Sequence, residues 1–207
     1  MWQSTQYPYS NRETGTIIHI NRIGSIFGSG WALKDWQEII ENPDGSVLLL
    51  DGDGTQLIFE PPATAGNPYI SPSGDFSILL KLSDGTYQRT FKDRAIYSFN
   101  ANKKLSIIQD RNGNQTRYIY NTSGQLTQII DPVNLVTSFT YTGSRVTSIT
   151  NPNNRVTTLT YNPAGDLIRI AHPDTAQINF EYDSNHCMTA STDARGNRGT
   201  ATYNFAG

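Results

Sequence analysis

From residue 99 onward, apolar and polar residues alternate in short bursts that return every 20 or 21 positions. Each burst closes on an aromatic residue: Phe99, Tyr120, Tyr141, Tyr161, Tyr182 and Tyr203, at spacings of 21, 21, 20, 21 and 21. Two positions before the tyrosines stand Tyr118, Phe139, Leu159, Phe180 and Ala201, and two before those Thr116, Thr137, Thr157, Ile178 and Gly199. A period of two over five residues predicts a strand with one buried face. Five or six residues after each aromatic comes an apolar residue, namely Leu105, Leu126, Val146, Leu167 and Met188, with a glycine shortly before it at Gly124, Gly143 and Gly165. A second strand begins there. Three residues further lie Ile108, Ile129, Ile149 and Ile170, whereas the fifth copy carries Ser191. A spacing of three breaks strict alternation and predicts a bulge or a strong local twist.

A turn opener follows each second strand: Asp110, Asp131, Asn151, His172 and Asp193. In the three middle copies proline comes next, in "DPVN", "NPNN" and "HPDT", which suits a type I turn because the ring presets φ. The outer copies use "DRNG" and "DARG", where glycine supplies a positive φ. Each repeat is therefore one β-hairpin plus its link to the next. One hairpin alone is marginal in water, whereas neighbours that stack their Leu, Ile, Phe and Tyr columns build a continuous apolar face.

Residues 1–98 are less regular. "NPDGSVLLLDGDGTQLIFE" and "LSDGTYQRTFKDRAIYSF" place Asp-Gly turn signals beside strand-forming runs and predict wider hairpins. "WALKDWQEIIE", residues 31–41, fits a short helix with Leu33, Trp36 and Ile40 on one face and Asn42 and Pro43 at its end, and it also fits a strand. The four prolines of "EPPATAGNPYISPSGD", residues 60–75, predict a long loop or an edge excursion.

The unit "DRNGNQTRYIYNTSGQLTQIID", present in five copies in register, resembles the RHS/YD-repeat family, and "FGSGWALKDWQEIIENPDGSVLLLDGDGTQLIFE" resembles the segment that precedes the repeats in bacterial members. The family includes shell-forming subunits of insecticidal toxin complexes, RHS polymorphic toxins and the teneurin adhesion proteins. The resemblance implies an all-β fold: a curved antiparallel sheet of consecutive YD-repeat β-hairpins, an open strip of a β-shell. It implies two segments, an N-terminal irregular β-hairpin segment over 1–98 and five YD/RHS repeats over 99–207. It also favours strand over helix for residues 31–41. The implied function is that of a non-enzymatic structural segment of a shell that encapsulates a toxin or other C-terminal cargo. The implied partners are the rest of the parent chain and that cargo, and the implied location is secreted or at a bacterial cell surface. The alternative is an extracellular adhesion or carbohydrate-binding module with glycans as partners. Shells of this kind use far more than five repeats, and nothing in the chain resembles the autoproteolytic closing segment or a C-terminal toxin. It reads as an early shell segment or a truncated relative whose open sheet edges pair with another copy.

Composition agrees with a β-rich globular chain, with Gly 17, Pro 10 and Tyr 11 among 207 residues, 36% of them hydrophobic and 16% charged. Eighteen acidic and sixteen basic residues spread along the length give a net charge of -2, so no basic stripe exists to neutralise phosphates, and nucleic acid is not expected as a partner. The longest aliphatic cluster, Val47 to Leu50, is far short of a bilayer span. "MWQSTQYPYS" has neither a charged n-region nor an apolar h-region, so no secretory signal is expected within the chain.

The chemistry-bearing residues favour bland roles. A single cysteine, Cys187, excludes a disulfide framework within one chain and a multi-thiolate metal site. His19, His172 and His186 lie far apart, and His186 beside Cys187 in a strand would point to the opposite face. "DGDG" at Asp51–Gly54 lacks the remaining ligands of a calcium loop, and "GSIFGSG" at Gly24–Gly30 lacks the lysine and hydroxyl of a phosphate loop. Asn114 and Asn121 stand in sequons that matter only in a secreted eukaryotic chain. The period-two placement of the tyrosines with Thr and Phe favours burial over a glycan ladder. No catalytic residue, cofactor or metal is expected. The repeat columns are the expected structural site.

Overall fold

The computed structural model describes residues 25–203, together with the paired strands β1 (Tyr9–Ser10) and β2 (Ile17–Ile18). Among the described residues there is no helix, and three short strands come first: β3 (Glu38–Glu41), β4 (Val47–Leu50) and β5 (Gln56–Phe59), an antiparallel sheet turning at Asp44-Gly45 and Asp53-Gly54. Thirteen strands follow in one sheet whose order is the order of the sequence. They are β6 (Ile78–Lys81), β7 (Tyr87–Thr90), β8 (Ile96–Phe99), β9 (Leu105–Gln109), β10 (Gln115–Tyr120), β11 (Leu126–Ile130), β12 (Val136–Thr142), β13 (Arg145–Thr150), β14 (Val156–Tyr161), β15 (Leu167–Ala171), β16 (Gln177–Tyr182), β17 (Met188–Thr192) and β18 (Arg198–Thr200). The sheet is antiparallel and open, so the all-β strip of consecutive hairpins expected from the repeats is what forms. Two compact units divide the chain, one of residues 33–137 and one of 1–32 with 138–207.

The spacing of three has a definite cause. Ile119 pairs with Gln128 and Tyr120 with Leu126, so Thr127 has no partner and is the extra residue of a β-bulge. That insertion shifts the alternation by one, and Leu126 and Ile129 both lie on the face of Tyr118 and Tyr120. The same slip leaves Ser106, Thr147, Ile168 and Thr189 unpaired in the other hairpins. Three of the bulge hydroxyls donate across the hairpin, Ser106 Oγ to the Ser98 carbonyl at 2.9 Å, Thr127 Oγ1 to the Ile119 carbonyl at 3.1 Å and Thr147 Oγ1 to the Thr140 carbonyl at 3.4 Å.

The single 20-residue spacing also has a local cause. Thr142 pairs with Arg145 across a two-residue turn, Gly143-Ser144, where the other repeats use a loop one residue longer. All five links between repeats share one geometry. The turn opener's N–H donates to the carbonyl four residues on, and its own carbonyl accepts from the N–H three residues on. The residue at that third position has a positive φ in every copy: Gly113, Asn134, Asn154, Thr175 and Gly196. The proline-containing turns thus need the left-handed residue as much as the glycine-containing ones do, and asparagine supplies it twice.

The core follows the columns. Phe99, Leu105, Leu126, Val146 and Leu167 are fully buried, and Tyr118, Phe139, Leu159 and Phe180 are buried as well, while Met188 is only partly so. Burying one such side chain contributes roughly 1.5 to 3 kcal/mol.

The region 31–41 is a strand only over β3, and the remainder is irregular chain with a turn at Lys34-Asp35. Residues 60–75 make an edge excursion. Tyr69 N–H donates to the Leu79 carbonyl at 2.8 Å and Ser71 Oγ to the Ser77 carbonyl at 2.6 Å, so this loop covers the outer edge of β6.

Candidate functional site

The repeat tyrosines do more than fill space. Tyr120 Oη donates to the Leu105 carbonyl at 2.6 Å, Tyr161 Oη to that of Val146 at 2.6 Å, Tyr182 Oη to that of Leu167 at 2.9 Å and Tyr203 Oη to that of Met188 at 2.8 Å. Each bond reaches back 15 residues, from the residue that closes one copy to the residue that opens the second strand of the copy before. The carbonyl that the bulge takes out of the regular ladder thus gains a donor. Burial pushes the phenol of Tyr182 up to about 12 and that of Tyr161 higher still, as it does for Tyr118 at about 12. Tyr141 is partly buried in the same column, and Tyr203 is exposed.

The aspartates and asparagines of the repeat cap their own turns. Asp110 Oδ1 accepts the N–H groups of Asn112 and Asn114, Asp131 Oδ1 those of Val133 and Leu135, Asn151 Oδ1 those of Asn153 and Arg155, and Asp193 Oδ1 those of Arg195 and Asn197. The side-chain amides of Asn114 and Asn197 hold the Asp110 and Asp193 carboxyls below the usual carboxylate range. His172 has no such oxygen, and in that turn Asp174 caps Ala176 instead.

A covering segment lies over the apolar columns of each unit. In the unit containing residues 138–203, the Val146 N–H donates to the Ile26 carbonyl and Phe27 meets Phe139 edge-on at 6.3 Å. Gly28 has φ +95°, and a Cβ there would lie 3.0 Å from the Leu167 nitrogen, so both the backbone conformation and the close approach require glycine. Trp31 packs edge-on against Phe180 at 4.8 Å and donates its indole N–H to Tyr182 Oη at 2.8 Å. In the unit of residues 33–137, Trp36 Nε1 donates to Tyr120 Oη at 3.0 Å and the Ile39 N–H to the Lys103 carbonyl. Two tryptophans thus address two members of the tyrosine ladder.

Two charged clusters escaped the sequence reading. Arg89 is 4% exposed and bonds Asp75, Ser77 and Gln37, with its guanidinium 4.5 Å above the Phe91 ring. Glu41 bonds Lys81 at 2.7 Å, Tyr87 Oη at 2.6 Å and Lys103 at 3.2 Å. A third pair joins His186 Nδ1 to the buried Asp166 at 2.6 Å, 20 residues apart and so one repeat apart. No local sequence signal announces any of these, because each joins loops, turns and strands that lie far apart in the sequence.

The remaining candidates fall into turns. Asp51 accepts from the Gly52 N–H and Gln37 Nε2, and Asp53 from the Thr55 N–H, so "DGDG" spends its carboxylates within the hairpin and its neighbour. Cys187 is buried and His172 exposed, while His19 and Gly24 lie outside the described residues. Asn114 and Asn121 are exposed, with their amides bonded to Asp110 and Gln125. Among the described residues no group of three or more His, Cys, Asp or Glu stands together to hold a metal, and no helix is long and apolar enough to cross a membrane.

An open strip of bulged hairpins tied by a tyrosine ladder is the architecture of a YD-repeat wall. The sequence profile of the teneurin YD-shell family matches residues 87–207, and the chain belongs to that family. Among characterised proteins, tRNA nuclease WapA of Bacillus subtilis (strain 168) is 31% identical over 102 residues, which is 49% of this chain and 4% of that protein. The tRNA3(Ser)-specific nuclease WapA of Bacillus spizizenii gives the same values. Among solved structures, a mutant Tc holotoxin pore of Photorhabdus luminescens matches 76% of this chain and 10% of its own, with 18% identity and a TM-score of 0.42. TcdB2-TccC3 without its hypervariable C-terminal region matches with 16% identity over 76% of this chain and 10% of its own, at a TM-score of 0.40. The chain therefore spans a small fraction of the proteins it resembles.

Proposed function

We propose that residues 99–207 are five repeats of a shell wall and residues 1–98 the N-terminal irregular β-hairpin segment of the same shell, and that the parent chain uses this wall to seclude a toxin or other C-terminal cargo. The mechanism is mechanical exclusion, with no catalytic side chain taking part. The observation that carries this reading is the 15-residue hydroxyl-to-carbonyl tie, repeated at Tyr120, Tyr161, Tyr182 and Tyr203. Because these four hairpins are each joined to the one before in the same way, the wall extends by repetition and satisfies its own backbone as it grows. The nuclease names of the WapA relatives support a toxin as cargo and with it a secreted or cell-surface bacterial setting. A glycan-binding role draws no support from these rings, whose hydroxyls are turned to backbone carbonyls.

Limited proteolysis of the full parent chain, with electron microscopy of the same sample, tests the proposal. A closed wall containing these strands, with the chain beyond it resistant to protease until the wall is denatured, is the expected result. Digestion of that downstream chain while the wall stays intact would overturn the reading.

A further inference from the structure

Beside β7, within the unit of residues 33–137, an open cleft of ≈ 660 Å³ is lined by Leu57, Phe76, Phe91, Arg89, Asp75 and Lys92 among others. That volume suits a small ligand or one large side chain. Its floor is built. Arg89 and Asp75 are joined at 2.7 Å with side chains 5% and 7% exposed, and the guanidinium is stacked on Phe91.

The donors on this floor exceed its acceptors. A guanidinium carries five N–H groups. Arg89 spends one from Nε on Ser77, one from Nη1 on Gln37 and one from Nη2 on Asp75, which leaves one donor on each Nη. Asp75 has both oxygens committed, Oδ1 to the Ser77 N–H and Oδ2 to Arg89, so the buried pair is neutral but rich in donors. At the mouth, Phe76 is 67% exposed, an unusual state for a large ring, and the Lys92 ammonium sits 3.6 Å from its centroid. Asp93, also on the rim, spends Oδ1 on the Ala95 N–H.

We infer that this cleft binds a planar aromatic group bearing a carboxylate, with the ring against the exposed Phe76 and the carboxylate reaching Lys92 and the unspent Arg89 donors. Aromatic faces supply the apolar walls, and the ammonium with the guanidinium edge supplies charge-assisted donors. A free aromatic acid and the C-terminal aromatic residue of a polypeptide share this chemistry.

The test is a ligand-observed NMR titration of the whole 207-residue chain with three probes: 2-naphthoate, the neutral 2-naphthamide, and a short peptide ending in a free C-terminal phenylalanine. Saturable binding of at least one carboxylate probe is expected, with the amide about fivefold weaker than naphthoate, the scale of one exposed charge pair. Lys92→Met should abolish the preference for acid over amide, and Phe76→Ala should weaken both. Both side chains are exposed, so neither variant threatens the fold. Binding of naphthoate without the peptide would assign the site to small acids, and the peptide binding as well would assign it to polypeptide C-termini. Equal binding of acid and amide, or a preference unmoved by Lys92→Met, would overturn the inference, as would no binding of either carboxylate.

Discussion

The indole N–H of Trp31 lies 2.8 Å from the hydroxyl of Tyr182, 151 residues further along the chain, and that same hydroxyl donates to the Leu167 carbonyl. One oxygen therefore joins the covering segment to the repeat ladder. Removing it by Tyr182→Phe strands a buried indole donor and a carbonyl together, which costs about 1 to 3 kcal/mol. Trp31→Phe, which keeps an aromatic ring against Phe180, should cost a similar amount. Because the two changes remove one shared bond, the double variant should be less destabilised than their sum by at least 0.5 kcal/mol or so in urea melts. Strict additivity would show that the indole bond contributes nothing.

The ladder permits a graded comparison. Tyr161 and Tyr203 make the same bond, to carbonyls 15 residues back, but Tyr161 is half-buried and Tyr203 is 36% exposed. Tyr161→Phe should lower stability by about 1 kcal/mol, whereas Tyr203→Phe should stay within about 0.5 kcal/mol of the parent because water replaces the lost donor. Equal losses in thermal melts would contradict the assignment of burial along the column.

Thr175 occupies the left-handed position of the fourth link with φ 71°, where the other links use glycine or asparagine. A β-branched residue is poorly suited there, at a cost of roughly 1 to 2 kcal/mol. Thr175→Gly relieves that strain but gives the unfolded chain more freedom, so a net gain of about 0.5 to 1 kcal/mol is expected. A loss of stability would mean that the threonine side chain holds the turn by a contact of its own.

Much of this was legible in the sequence because the repeat is local. The columns, the bulge behind the spacing of three and the turn openers all follow from residues within one 21-residue period. The covering segment was not legible. Leu33, Trp36 and Ile40 satisfy a helical face as well as any strand pattern, and what decides against the helix is Trp36 reaching Tyr120, 84 residues away. The Arg89 and Glu41 clusters were hidden for the same reason, since their partners lie 12 to 62 residues off in other loops and strands. Asp166 and His186 are one repeat apart, so the period does predict that their turns are neighbours, but it says nothing of a carboxylate facing an imidazole there.

The two ends of the thirteen-stranded sheet are treated differently. Residues 69–71 cover β6, whereas β18 is short, exposed and has a neighbour only in β17 among the described residues. An uncovered edge recruits another strand. Light scattering across a concentration series should show a species that grows with concentration, and Thr200→Pro, which removes a backbone donor and disfavours extension of the ladder, should suppress it. A monomer at every concentration would shift weight toward a strip that caps itself.

Glu41 makes stability depend on acid. The Lys81 ammonium first, then the Tyr87 hydroxyl and Lys103, lower its carboxyl from 4.5 to about 2. A carboxyl depressed in the folded state contributes stability that is fully present above its unfolded value and is lost as pH falls from about 4.5 toward 2. Glu41→Gln should flatten that part of the curve in urea melts, and high salt should shrink the parental slope because the side chain is 34% exposed. The tyrosines act at the other end with the opposite sign. Tyr118 and Tyr182 are raised from 10.0 to about 12 by burial, so the stability of the neutral phenols is complete below pH 10 and is lost as pH rises toward 12. Tyr182→Phe should therefore weaken the alkaline slope while leaving the acid slope intact, and Glu41→Gln should do the reverse. A variant that altered both limbs alike would show that one cluster governs the whole unfolding transition.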